Sequence, residues 1–258
     1  MFIKTWLRLI LTIILIVYGA TLAHALDMEK VYKFGLDIDY PPFSFMDEKT
    51  GMMAGFDADI ANAVCKTIGI KCEVLGINFD EIIPMIQRGD LDVGTAGFGF
   101  TEERASVVLF TDKYYRSNSI FVQNDLGILE ITPESIKGKT VAVQRGTIQE
   151  AYLRTKYRDT IDILLCNTLV DTMEAVRTKK TDLALADGIA TYTYLRTPAG
   201  KDLDIAGDPI PIQDDDALMA VNKDNTELCD SINWAIKQLR ATGEYDLINL
   251  KYFNYNIY

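Results

Sequence analysis

Two hydrophobic periods alternate along the chain from residue 31 onward. "VYKFGLDI" is rich in strand-forming residues and reads as a strand. "GFDADIANAVCKTIG" follows, with Ile60, Val64 and Ile68 spaced four apart, which stacks them on one helical face. Asp57 is the expected N-cap of this helix and Gly69 its stop. Strand "CEVLGI" comes next, then Asp80 as the expected cap of the helix "EIIPMIQRG", then strand "DLDVGTAG". A β-α-β-α-β order with short links predicts parallel strands covered by helices.

The same alternation returns further on. "KTVAV" reads as a strand, and "TIQEAYLRTKY" as a helix opened by a T-x-x-E capping box from Thr147 to Glu150. Strand "DILLC", helix "VDTMEAVRTKK" and strand "DLALA" complete the second set. The end of the chain, "TELCDSINWAIKQLRATGEYDLINLKYF", is strongly helical, with Trp234, Ile236 and Leu239 available for packing. The segments "IIPMIQRGDLDVGTAG" and "TMEAVRTKKTDLALADG" echo each other weakly, which predicts an α/β fold of two Rossmann-like lobes. The expected crossings are "YYRSNSIFV" and "DPIPIQDDDALMAV", a two-segment hinge. The first lobe would comprise residues 26–117 plus 214–258, and the inserted second lobe residues 118–213. Ligands of such sheets bind at the carboxyl ends of the strands, which here would face each other across a cleft.

The first residues follow another pattern. Lys4 and Arg8 precede an uncharged apolar run from Leu9 to Ala20, and Ala23-His24-Ala25 fits a small-x-small cleavage site. This is the form of a secretory signal peptide over residues 1–25. The alternative is a membrane anchor, but the run is roughly a dozen residues against the ~20 a bilayer needs. Export to a bacterial periplasm or beyond is therefore expected.

Composition then removes whole classes of function. The net charge is −11, and cleavage after Ala25 would remove two cations and deepen it. A chain of this balance with no basic patch does not recruit nucleic acid or anionic membranes. The one histidine, His24, leaves with the leader. A mature chain without histidine has no Ser-His-Asp or Cys-His site and no histidine metal site. Cys65 and Cys72 bracket a helix end and the start of a strand, where a disulfide or two buried thiols would fit. For Cys166 and Cys229, a bridge and free thiols remain equal alternatives.

The candidate chemistry gathers at strand ends. In "GTAGFGFTEERA", Gly97 and Gly99 let a ligand approach the main chain. If Thr101 caps the next helix, Arg104 lies in its first turn, where the helix dipole disfavours a cation. A bound carboxylate would answer both charges through two parallel hydrogen bonds; pairing with Glu103 is the ordinary alternative. Gly146, Thr147 and Ile148 open a helix whose free N–H groups suit an anion, or they form a plain cap. Asp187 ends "DLALA", as a partner for an ammonium or as the next N-cap. Asp37 and Tyr40 follow the first strand and Phe79 ends another; these aromatics serve a ligand or the core. Together they match a small zwitterion.

The blocks "GLDIDYPPFSF", "GFDADIANAV", "FDEIIPMIQRGDLDVGTAGFGFTEERA", "GKTVAVQRGT", "DLALAD" and "GEYDLINLKYF" resemble, in this order, the periplasmic solute-binding proteins of polar amino-acid ABC transporters. The resemblance runs from about residue 31 to 253. It implies a type II periplasmic-binding fold, a monomer without cofactor or metal, an amino-acid ligand and permease subunits as partners. Arg104 would hold the α-carboxylate with the main chain at Gly99, Thr147 and Ile148. Asp187 and the main chain near Gly97 would hold the α-ammonium. Tyr40 and Phe79 would sandwich the side chain, and Asp37 would meet its polar tip. The Cys65–Cys72 spacing is similar to a disulfide of the basic-amino-acid members. Two positions depart from the family pattern. Gly99 stands where Ser or Thr is usual, Ile148 where a small hydroxyl residue is common, and Arg145 adds charge nearby. The rival reading is an exported cyclohexadienyl dehydratase acting on prephenate or arogenate, with Glu150 or Asp187 as general acid. A ligand-sensing domain of a larger receptor is a third.

Overall fold

Hydrophobic strands at the predicted places assemble into two separate sheets in a computed structural model that describes residues 26–124, 127–128, 130–212 and 216–258. The leader, residues 1–25, lies outside the described residues, as does part of the second crossing, 213–215.

The chain enters with β1 (Val31–Asp37), whose Phe34 and Leu36 are fully buried. A small antiparallel sheet of β2 (Asp39–Tyr40), β3 (Ser44–Met46) and β4 (Met53–Ala54) follows. Helix α1 (Phe56–Ile68) buries Ile60 and Val64 and ends at Gly69 in the left-handed conformation. Then come β5 (Lys71–Ile77), α2 (Phe79–Arg88), β6 (Val93–Phe98), the short α3 (Glu102–Ala105), β7 (Val108–Phe110) and β8 (Tyr115–Arg116). The first sheet runs β5-β1-β6 in parallel, as the alternation predicts.

The second sheet begins two residues beyond β8, with β9 (Ser119–Gln123). It continues through β10 (Thr140–Gln144), α4 (Ile148–Lys156), β11 (Asp162–Cys166), α5 (Leu169–Arg177), β12 (Leu183–Asp187), α6 (Gly188–Leu195) and β13 (Asp204–Ile210). Its order is β11-β10-β12-β9-β13, with β9 antiparallel to both neighbours. The chain then returns to the first sheet as β14 (Asp216–Asn222), antiparallel to β6, β7 and β8. Both sheets are therefore mixed rather than parallel throughout. The antiparallel strands are the ones next to the crossings. The chain closes with α7 (Thr226–Thr242) and α8 (Glu244–Tyr252), separated by Gly243 at φ 80°.

Three local expectations are corrected. Asp57 is not the cap of α1. Gly55 holds that position at φ 114°, where a Cβ would lie 2.4 Å from the Phe43 oxygen. The helix thus starts two residues earlier, and Asp57 turns inward to accept from Tyr114 Oη at 3.0 Å. Asp80 is not a cap either: Asn78 precedes α2 without a side-chain bond, and Asp80 lies in the first turn. Trp234 does not pack. The buried stripe of α7 is Leu228, Ile232, Ala235, Ile236 and Leu239, and Trp234 falls off it, 51% exposed. Cys65 and Cys72 are bridged, while Cys166 and Cys229 are free and buried.

Candidate functional site

The carboxyl ends of β1 and β6 face those of β10 and β12 across a cavity of about 540 Å³. Asp37, Tyr40, Phe79, Gly97, Gly99, Arg104, Thr147, Ile148 and Asp187 all line it. These residues converge because parallel strands place their ends on one edge of each sheet, and the two edges meet.

Arg104 resolves the puzzle of its position. Thr101 caps α3, accepting from the Arg104 main-chain N–H at 3.1 Å. The guanidinium then folds back. Nη1 donates to the Gly99 oxygen and Nη2 to the Gly146 oxygen, each at 2.7 Å. It lies over the rings of Phe79 and Phe98, 5.6 and 5.4 Å from their centroids, and those rings pack against each other, tilted by 30°, at 4.9 Å. No carboxylate among the described residues pairs with it, so the Glu103 alternative is not realised. Burial pulls its pKa down to about 10, offset in part by Glu103, and it stays cationic at neutral pH.

Opposite lies the head of α4. Thr147 Oγ1 accepts from the Glu150 N–H at 3.2 Å and donates to the Gln144 oxygen at 2.7 Å. The reciprocal arm of the expected capping box slips by one residue: Glu150 Oε2 accepts from Gly146 N, at 2.7 Å, instead of Thr147 N. The N–H groups of Thr147 and Ile148 have no acceptor among the described residues. They point a helix N-terminus of partial positive charge at the same cavity as Arg104.

Asp187 supplies the opposite sign. It caps α6, accepting from Ala190 N at 2.9 Å, so its ordinary role is realised while it also lines the cavity. Burial pushes its pKa up to about 6, offset by the Ala190 N–H and then by the hydroxyls of Ser117 and Tyr40. Tyr40 lies flat on Phe43 at 5.0 Å, which fixes its ring at the cavity wall. Asp37, 1% exposed, has its pKa raised to about 7 by burial, opposed by a hydrogen bond from Gln144 and the Asp39 N–H.

Gly97 needs to be glycine. Its φ is 61°, and a Cβ there would lie 2.0 Å from Tyr115 Oη. Its N–H donates to Tyr114 Oη at 2.8 Å, and Tyr114 donates to Asp57. Buried Asp57 thus braces the main chain at the cavity from below, with its Oδ2 unpartnered. Sequence reasoning missed Gln144, Ser117 and Tyr115, which also line the cavity. Gln144 ends β10 as Asp187 ends β12, so the strand-end rule was the signal that reaches it.

The sequence model of the bacterial extracellular solute-binding proteins, family 3, matches residues 32–255. The lysine/arginine/ornithine-binding periplasmic protein of Escherichia coli (strain K12) is 31% identical over 236 residues, covering 90% of each chain. The histidine-binding periplasmic protein of Salmonella typhimurium is 30% identical over 260 residues, covering 98% of each. An ancestral arginine-binding protein bound to arginine is 30% identical with a TM-score of 0.81, and the match covers 88% of this chain and 100% of that one. All three are binding proteins, which gives the dehydratase reading no support. Glu150, one of its two acids, is bound to Gly146 N and Arg154 and does not line the cavity.

Proposed function

Because the chain belongs to the bacterial extracellular solute-binding proteins, family 3, we propose that it captures a polar amino acid between two lobes and delivers it to the permease subunits of an ABC transporter. The family's members named above are solute-binding proteins, not enzymes. The basic amino acids bound by these relatives are the first candidates for the ligand.

One observation carries the reading: Arg104 and the Thr147–Ile148 N–H groups face Asp187 within one cavity. That puts an anion seat and a cation seat in one cavity, as a small zwitterion requires. Arg104 grips the α-carboxylate with the N–H donors it has not already used, aided by the main chain at Gly99, Thr147 and Ile148. Asp187 and the main chain at Gly97 take the α-ammonium. Gly99 lacks the hydroxyl usual in the family, and Ser117, beside Asp187, offers one from the other wall. Tyr40 and Phe79 enclose the side chain, and Asp37 meets its tip.

The lobes in this reading are residues 26–117 plus 214–258, and 118–213. A ligand that touches both favours the closed state, because only there are all its charges answered. Cleavage of residues 1–25 would release the chain as a periplasmic monomer.

A thermal-shift panel of the amino acids plus prephenate and arogenate tests the proposal. A ligand that binds only the native state raises the melting temperature with concentration. The expected result is a rise with one class of polar amino acid, abolished in Arg104→Ala and Asp187→Ala. A rise with prephenate or arogenate alone, with phenylpyruvate or phenylalanine formed, would overturn it.

A further inference from the structure

Resting on the amino-acid-binding reading above, we propose that Asp57 is a positioning residue for the α-ammonium seat: through the hydroxyl of Tyr114 it fixes the main chain of Gly97, and so sets how strongly the protein selects a ligand that carries an α-amino group. Asp57 lies in the first turn of α1, fully buried and outside the cavity, while Gly97 lines it.

The end of β6 departs from the regular ladder. Leu218 of β14 pairs with Phe98 and Ala220 with Gly94, so Met219 alone spans Thr95, Ala96 and Gly97. A bulge of this kind re-aims the chain beside a site. The Gly97 N–H donates to the Tyr114 hydroxyl at 2.8 Å, which leaves the Gly97 oxygen, an acceptor, for an ammonium. Tyr114 is itself held at three points. Its N–H donates to the Ala217 oxygen at 3.0 Å, its oxygen accepts from Tyr245 Oη at 2.7 Å, and its ring stacks on Phe56 at 6.3 Å. A phenol has one proton to give. Asp57 Oδ1 takes it at 3.0 Å, so a lone pair is left to face Gly97 N.

Stability does not account for Asp57. Its Oδ2 is sealed from solvent and has no partner among the described residues. Burial raises its pKa well above the ordinary carboxylate range, opposed by the Tyr114 hydroxyl and reinforced by Asp37 and Asp187. A half-satisfied buried acid is costly to keep, so its presence needs another reason. Without an acceptor there, the Tyr114 hydroxyl is free to rotate and its hold on Gly97 weakens. Glycine is the residue least able to hold its own conformation. The ammonium seat then loosens. The anion seat does not, because Arg104 is fixed separately through Thr101, Gly99 and Gly146.

The test is a calorimetric titration of the purified protein with arginine, lysine, histidine and glutamine, each beside the same acid without its α-amino group. Asp57→Ala and Tyr114→Phe should each weaken the best-binding amino acid about tenfold or more, and leave its deaminated acid within about twofold of wild type. Because Asp57 acts through Tyr114, the double variant should lose no more than Tyr114→Phe alone. Asp57→Asn, which keeps an acceptor for the hydroxyl, should retain most of the affinity. Equal losses for the amino acid and the deaminated acid would mark a general loosening of the fold, and additive losses in the double variant would mark independent roles; either overturns the relay. A loss in Asp57→Asn as large as that in Asp57→Ala overturns it as well. So does a wild-type ratio in Tyr114→Phe, which decides the matter even if Asp57→Ala fails to fold. In each of these cases amino-acid binding by the wild type still stands. No binding of any amino acid by the wild type overturns both.

Discussion

The Arg104 guanidinium donates to the main-chain oxygen of Gly146 at 2.7 Å, from the end of the first sheet to the head of a helix on the second. A single side chain thus touches both walls of the cleft before any ligand is considered. Asp80 and Arg145 make a second contact across the same gap at 3.6 Å, and Asp37 and Gln144 a third. Closure is written into side chains at the strand ends, where a ligand also has to bind.

Replacing Arg104 should therefore cost affinity far more than fold. Truncating one partner of a buried, hydrogen-bonded charge pair costs about 2–5 kcal/mol, or roughly 30-fold to several thousandfold in Kd. Arg104→Ala should show that loss by calorimetry. Arg104→Lys should recover little of it, because an ammonium lacks the planar fork that reaches Gly99, Gly146 and a carboxylate together.

Asp187 has two roles that two substitutions separate. Asp187→Asn keeps a side-chain oxygen that can cap α6, so the melting temperature should stay close to wild type while affinity falls. Asp187→Ala loses the cap as well, at a cost of about 0.5–2 kcal/mol of stability. Equal affinity of the Asn variant and wild type would remove Asp187 from ammonium recognition.

The acidity of the cavity wall sets a pH dependence. Burial raises Asp37 to about 7 and Asp187 to about 6, so the fold holds these protons more tightly than the unfolded chain does. Their contribution to stability is full below the ordinary carboxyl range, near pH 4, and is lost as pH rises through 6 and 7. Binding runs the other way, since a cationic group selects the ionised carboxylates. Melting temperature and Kd measured from pH 5 to 8 should show the empty protein losing stability from these groups while affinity rises. Asp37→Asn should flatten both trends.

The Cys65–Cys72 bridge ties the end of α1 to β5 across a separation of seven residues. The chain-entropy relation gives about 2.5 kcal/mol for a loop of this size. Replacing both cysteines with serine should lower the melting temperature by roughly 5–10 °C for a chain of this length. Ligand affinity should not change, because neither cysteine lines the cavity.

Much of the candidate site's geometry was legible because its signals are local. A glycine-rich strand end, a T-x-x-E helix start and a strand-ending aspartate each read from a few neighbouring residues, and the sheet edges bring Arg104, Thr147 and Asp187 together. Gln144 was not legible, since its meaning depends on Asp37, 107 residues away on the other sheet. Asp57 and Asp80 misled for a different reason. A cap is defined by backbone conformation, and Gly55 and Asn78 each took the position two residues earlier. Trp234 misled because the buried face of a helix is chosen by its neighbours, which took the stripe beside it.

The most direct test of the account is a calorimetric titration of the purified protein with its best amino acid, that amino acid's methyl ester and its deaminated acid. The account predicts one saturable site for the amino acid. The ester, which removes Arg104's anion, and the deaminated acid, which removes Asp187's cation, should each bind at least about 30-fold more weakly. Equal binding of all three, or no binding by any amino acid, would contradict it.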